Sequence, residues 1–400
     1  MYRVTSTLQQ RFWNSKLQME SVVADPFQMF GGLYNDKTKQ MPNGVMIHVD
    51  LKGKRSGVLT LLKRLSGSGV TGRSTLIGNE VDQDTRELIV YANELRHAVN
   101  SEQYGIDANE KSPYRLLEQI QPQLSYWLGE MKGKYKREGI VEHYSTNLTV
   151  APISKTKTLN ENILVKNVNI TTADQANYQG SADNAAYIED VGDALTAAGT
   201  TSAALWDVTF LSRIQYWATV VKKIVPLDNG RYVVLVPSRQ AAFLKDPQNS
   251  ESLFAVFRDS QITELTKSWG YDQYLGSFGQ LDLFEDPRSP VFDLTGSNGS
   301  WAIAVKYKGA GDDDSRTSTS GTVFDVGMIL GKGALIETEY EAPHFEDEVQ
   351  DYNMIKGIGI AAGFGYQSTV WYNDATSETR ASTINQSSGL LCAYAGTLTA

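Results

Sequence analysis

The chain has 400 residues, of which 41% are apolar and 21% charged, with 34 Gly and 11 Pro, and this composition excludes disordered and collagen-like classes. No apolar run approaches the ~18 residues that cross a bilayer, and Met1 to Glu20 carries Arg3, Arg11 and Lys16 where a secretory leader is continuously apolar, so neither a membrane nor export is expected. The net charge of −9 is uneven: residues 1–150 hold 19 basic and 16 acidic side chains, and residues 151–400 hold 18 and 30, which gives specific nucleic-acid readout a poor starting point.

At this length two or three domains are expected, each with its own core. Residues 1–45 scatter aromatics, Phe12 and Trp13 among them, without a sustained period, and read as an extended arm with anchors. From Val45 to Val58 apolar residues alternate, and the alternation resumes at Leu88, Val90 and Ala92. Between them lies the Gly/Ser-rich stretch Ser66 to Gly72, so the pattern describes a long hairpin, too marginal to stand by itself. The run from Leu51 to Asn79 holds Lys52, Lys54, Arg55, Lys63, Arg64 and Arg73 and no acid.

Ser112-Pro113 starts a helix by a capping hydroxyl and a first-turn proline, and Leu117, Ile120, Leu124, Trp127, Met131 and Tyr135 follow at helical spacing. The pattern predicts a helix reaching about Tyr144, with a kink or restart at Pro122. Residues 171–204 read as an acidic insertion, since Lys and Arg are absent from Asn167 to Ser212. A helix over about Trp206 to Lys223, a buried strand at Tyr232 to Pro237 and a helix at Ala241 to Lys245 follow as an α/β unit. Short strands are predicted at Trp301–Tyr307, Val326–Leu330, Ala334–Thr338, Ile358–Ala362 and Thr369–Tyr372, and no long repeat occurs. From Glu337 to Asp351 seven acids, including Glu346, Asp347, Glu348 and Asp351, occur without a Lys or Arg. Either charged run reads equally as a solvated face or as a contact.

Chemistry leaves little trace. Gly67 to Gly72 spells a dinucleotide fingerprint, but Leu61-Leu62-Lys63-Arg64 before it and Arg73 to Asn79 after it are not a buried strand and an apolar helix. A nucleotide-binding oxidoreductase is therefore a rival reading, and a monomeric adhesin-like binding module, suggested by the Tyr and Asn content, is another. His48, His97, His143 and His344 show no metal spacing, and Cys392 is a lone cysteine suited to a reducing compartment. Catalytic, cofactor and metal residues are expected to be absent.

The segments Gly69-Val70-Thr71-Gly72, Gly78-Asn79-Glu80, Leu95-Arg96-His97-Ala98-Val99, Ser112-Pro113-Tyr114, Gly230 to Pro237, Met328 to Leu335 and Gly357-Ile358-Gly359 occur in this order. Together they resemble the major capsid proteins of N4-like podoviruses. The resemblance implies an α+β, HK97-like phage capsid fold: an N-terminal arm (1–45), an extended hairpin loop (46–95), a peripheral domain with a long spine helix (96–150), an axial α/β domain (151–325) and C-terminal strands completing both (326–400). It implies a structural role in the virion, with assembly in the host cytoplasm. The partners it implies are further copies of the chain, as hexamers and pentamers around double-stranded DNA, together with portal, scaffold and decoration proteins. Candidate contacts between copies are then Phe12, Trp13, Lys52, Lys54, Arg55, Lys63, Arg64, Arg73, Glu346, Asp347, Glu348 and Asp351, with the basic hairpin of one copy meeting the acidic run of another.

Overall fold

The structure is a computed structural model and describes residues 31–33, 44–62, 70–72, 85–100, 116–157, 160, 163–166, 206, 208–221, 224–245, 274–297, 300–307, 322–350, 355–369, 372–374, 379–380 and 390–396. In chain order the elements are β1 (Gly31–Leu33), β2 (Met46–Asp50), β3 (Ser56–Leu62), β4 (Thr85–Tyr91), β5 (Asn93–Asn100), α1 (Leu116–Val141), β6 (Ile163–Lys166) and α2 (Val208–Tyr216). Then come β7 (Tyr232–Pro237), α3 (Ser238–Lys245), β8 (Tyr274–Phe278), β9 (Leu281–Asp286), β10 (Val291–Ser297), β11 (Ser300–Lys306), β12 (Thr322–Leu330), β13 (Leu335–Gln350), β14 (Ile355–Ser368), β15 (Tyr372–Asp374), β16 (Thr379–Arg380) and β17 (Leu390–Gly396).

The first sheet has the order β1-β2-β13-β14-β5 and is covered by α1. The apolar stripe of α1 buries Leu124 and Leu128, with Trp127 partly buried and stacked on His97 of β5 at 4.4 Å between ring centroids. Helix and sheet come close because Gly139 has no side chain: a Cβ there would sit 3.0 Å from the Tyr366 carbonyl carbon. The helix runs through Pro122 without a restart and ends at Val141 rather than Tyr144. Its expected start at Ser112-Pro113 lies outside the described residues.

The second sheet has the order β11-β10-β12-β7-β9-β8, extended by β17 on β12 and β6 on β17. Its central strand β7 is buried throughout, which explains the uninterrupted apolar run Tyr232 to Pro237. Alternation divides the run: Val233 and Leu235 face the core shared with α1, while Val234 and Val236 face Trp206, Phe210, Leu211 and Ile214 beside α2. The expected helix to Lys223 is α2 followed by a π-helical turn, Trp217–Val221. The expected boundary at residues 325 and 326 falls inside β12, and residues 326–400 supply strands to both large sheets. Position 171–204, read as an insertion, lies outside the described residues.

One glycine in this sheet is required by packing. A Cβ at Gly327 would run into the fully buried Trp206 ring and lie 3.2 Å from the Leu235 carbonyl oxygen. Gly327→Ala is therefore expected to cost about 1–3 kcal/mol, because the indole has nowhere to move. Chemical denaturation checks this, and an unchanged midpoint would place the ring elsewhere.

Candidate assembly surface

The expected single strand from Val45 to Val58 is two strands in different sheets. The chain turns at Lys52 and Gly53, whose φ values of 49° and 81° are left-handed, and Asp50 Oδ1 accepts the Lys52 N–H at 2.8 Å. β2 stays in the first sheet and β3 leaves it to form a hairpin with β4, in register from Ser56↔Tyr91 to Leu62↔Thr85. The hairpin does not stand alone. β15 pairs with β4 at Tyr372↔Glu87 and β16 pairs with β15, making a sheet of order β16-β15-β4-β3, while Ile47, Val49, Leu51, Leu59, Leu88, Val90 and Ile336 form a small core at its base.

Lys52 and Lys54 are exposed on the turn. Arg55 is half-exposed, 4.0 Å from the Glu94 carboxylate and 5.9 Å from the Tyr340 ring centroid, so it has partners within its own chain. Lys63, Arg64, Arg73, Asp351, Phe12 and Trp13 lie outside the described residues. So do residues 67–69 of the Gly67 to Gly72 motif, while Gly72 has a φ of 78°, as a turn requires. The strand before that motif is β3, an antiparallel hairpin strand with Val58 57% exposed, which denies a dinucleotide loop its buried parallel strand.

The acidic run is not a loop. It lies in β13, a 16-residue strand where only Ala334 to Thr338 was expected to be extended. β13 pairs along its length with β14 but with β2 only from Leu335 to Glu339. Its second half therefore carries Glu341, Glu346, Asp347 and Glu348 on a stretch whose other edge has no strand partner among the described residues, and charge there discourages indiscriminate pairing. Glu346 is exposed and its Oε1 lies 3.3 Å from His344 Nε2. Because β2 runs parallel to β13, the Leu51 N–H donates to the Glu339 carbonyl at 2.8 Å. The near ends of the two charged runs therefore adjoin within one chain, where the hairpin leaves the sheet beside Glu339.

The first part of the acidic run is half-hidden. His48 Nδ1 lies 3.3 Å from Glu337 Oε2 and its Nε2 lies 3.5 Å from Glu339 Oε2. The Tyr366 hydroxyl donates to Glu337 Oε1 at 2.6 Å. Lys132 and Lys136 of α1 approach from below, their Nζ atoms 5.2 and 5.6 Å from the Phe364 and Tyr366 ring centroids. The hydrogen bond that His48 makes to the Glu337 carboxylate raises the His48 pKa despite partial burial. Burial alone would raise Glu337, but His48, Lys136, Lys132 and Tyr366 together hold it well below the usual carboxylate range. Burial raises Glu339, against the pull of Lys132 and His48.

A second buried ionic contact joins the sheets. Arg137 of α1 donates from Nε and Nη2 to Asp286 at the end of β9, at 2.9 and 2.6 Å, with 2% and 0% of the two side chains exposed. Nearby, Arg288 Nη2 donates to Glu130 Oε1 at 2.7 Å. Neither cluster was anticipated from the sequence. The available signal was the run Lys132 to Glu138, too charged for the stripe it interrupts. Among the described residues no group of His, Cys, Asp and Glu gathers to hold a metal ion, and no helix is long and apolar enough to cross a membrane.

This arrangement as a whole has counterparts among solved structures. The capsid of Ralstonia phage GP4 superposes with a TM-score of 0.59 at 12% identity, over 92% of this chain and 90% of that one. The cyanophage Pam1 capsid gives 0.59 at 15% identity, over 95% and 94%. The acidic stable capsid of Helicobacter pylori bacteriophage KHP30 gives 0.58 at 12% identity, over 94% and 91%. The chain has a phage capsid fold. No family model and no curated protein sequence matches it, so the likeness is one of fold. The mixture of helix and sheet is as expected, and α1 is the longest described helix at 26 residues.

Proposed function

We propose that the chain is the major capsid protein of a tailed phage, and that its copies associate as hexamers and pentamers into an icosahedral shell around double-stranded DNA. The observation that carries this reading is the likeness to three phage capsids over at least 90% of both chains in each comparison. In these terms the first sheet with α1 is the peripheral domain, the second sheet the axial domain, and β3–β4 the extended loop. The segments quoted from the sequence favour the N4-like podoviruses. The role is structural rather than catalytic, in a virion built in the host cytoplasm, with portal, scaffold and decoration proteins as further partners. Residues 151–400 carry a charge of −12 by their side chains, which suits a container that must not grip the DNA it is filled with.

Light scattering and negative-stain microscopy of the purified protein test the proposal. Capsomers, shells or tubes are expected. A clean monomer at high concentration would overturn it, and a thermal shift of ~2.7 kcal/mol with a dinucleotide at 100 times its Kd would favour the oxidoreductase instead.

A further inference from the structure

We propose that His48 is a proton-operated latch that fastens strand β2, and with it the root of the β3–β4 hairpin, to strand β13. The geometry carries this. Both ring nitrogens face carboxylates, Glu337 on one side at 3.3 Å and Glu339 on the other at 3.5 Å, and an imidazole can donate from both nitrogens only as the imidazolium. The two carboxylates are alternate residues of β13, so one cationic ring spans one face of the strand.

The surrounding charges make the ring decisive for β2 in particular. Lys132 and Lys136 face the cluster from α1, Tyr366 from β14, Glu337 and Glu339 from β13, and Asp50 from β2 itself. With His48 charged, three cations meet three carboxylates. When His48 loses its proton, the lysines and Tyr366 still hold Glu337, so α1, β13 and β14 stay together. β2 keeps no attraction of this kind: its other charged group in the cluster, Asp50, stands in register with Glu339 and repels it. Among the described residues only the three-residue β1 lies beyond β2 in this sheet, and the left-handed turn at Lys52 and Gly53 follows directly, so loosening β2 frees the hairpin to change its angle.

The sign follows from linkage. A His held above its ordinary 6.5 contributes stability that is complete below that pH and is lost as pH rises through the folded value. On the acid side Glu339, raised by burial, takes up a proton before Glu337 and opens the second link first. The latch is closed between the Glu339 and His48 midpoints and open on either side. If the hairpin meets a neighbouring copy, as the capsid reading has it, assembly is gated by the same window; that consequence rests on the reading, and the latch does not.

Hydrogen exchange of the purified protein, corrected for the intrinsic effect of pH, tests the latch. Amides of residues 46–50 are expected to exchange severalfold faster once pH passes the His48 midpoint, while those of β14 do not change. His48→Gln should exchange fast at every pH. Glu339→Gln, which keeps the ring and removes one carboxylate, should lower the His48 midpoint in the spectrum of the protein labelled with 13C-histidine, where only four histidines contribute. Exchange of β2 that ignores pH, or a His48 titrating at or below 6.5, would overturn the proposal. Shells that form beside a β2 insensitive to pH would sink the latch and spare the capsid reading; a working latch in an obligate monomer would do the reverse.

Discussion

Replacing Arg137 with alanine is expected to cost the fold about 3–5 kcal/mol, measured by urea denaturation. The guanidinium meets Asp286 in a two-point contact with almost no exposure on either side, and its remaining Nη1 donates to the Gly133 carbonyl at 2.8 Å within α1. Without it Asp286 keeps the Arg288 backbone N–H at 3.0 Å, one neutral donor for a buried charge. The loss is of an uncompensated kind, so Arg137→Leu combined with Asp286→Leu should recover most of the stability that Arg137→Ala removes. The neighbouring Arg288–Glu130 pair, about a third exposed, should give less than about 1 kcal/mol when broken. A loss below about 1 kcal/mol for Arg137→Ala would mean that Asp286 finds another cation, and that α1 is tied to the second sheet by apolar packing alone.

That contact also shows what local sequence patterns conceal. β7 and α1 were legible because burial on both faces or on one stripe leaves its own period in the chain. The β8–β9 hairpin, β10 and β17 left no such signal. In β9 the acids Asp282, Glu285 and Asp286 look like a solvated turn, yet Asp282 and Asp286 are each buried against an arginine, Asp282 against Arg231 at 2.9 Å and Asp286 against Arg137. β13 misleads in the same way. Its glutamates suggest a loop, but Glu337 answers His48, 289 positions earlier, and the lysines of α1. A carboxylate is polar in any local reading; whether it is paired depends on residues that only the fold brings near. The hairpin, by contrast, was legible because its strands and turn are local, while its support from β15 and its root at Glu339 were not.

The root of the hairpin is also where assembly should be most easily broken. Lys52→Glu with Lys54→Glu is expected to abolish shell formation while leaving the subunit folded, with stability within about 0.5 kcal/mol of the parent. Both side chains are exposed on the turn, and Lys52 already holds a left-handed backbone that glutamate adopts at no greater strain. Arg55 belongs to a different test, because it faces Glu94 and Tyr340 of its own chain and its reversal would also disturb contacts within the subunit. The expected partners are Glu346, Asp347 and Glu348 of an adjacent copy, on the half of β13 that β2 does not cover. One exposed pair contributes only ~0–1 kcal/mol, and a Debye length of ~8 Å limits its reach. A closed shell repeats the pair in every copy, each donating and accepting, so a small term per contact becomes a large one per particle. Added salt should therefore weaken assembly of the parent protein. Reversing Glu346, Asp347 and Glu348 to lysine in the doubly substituted chain should restore part of it, as seen by negative-stain microscopy. Normal assembly of the Lys52→Glu, Lys54→Glu protein, unmoved by salt, would leave both runs as solvated faces and place the contact between copies on apolar surface instead.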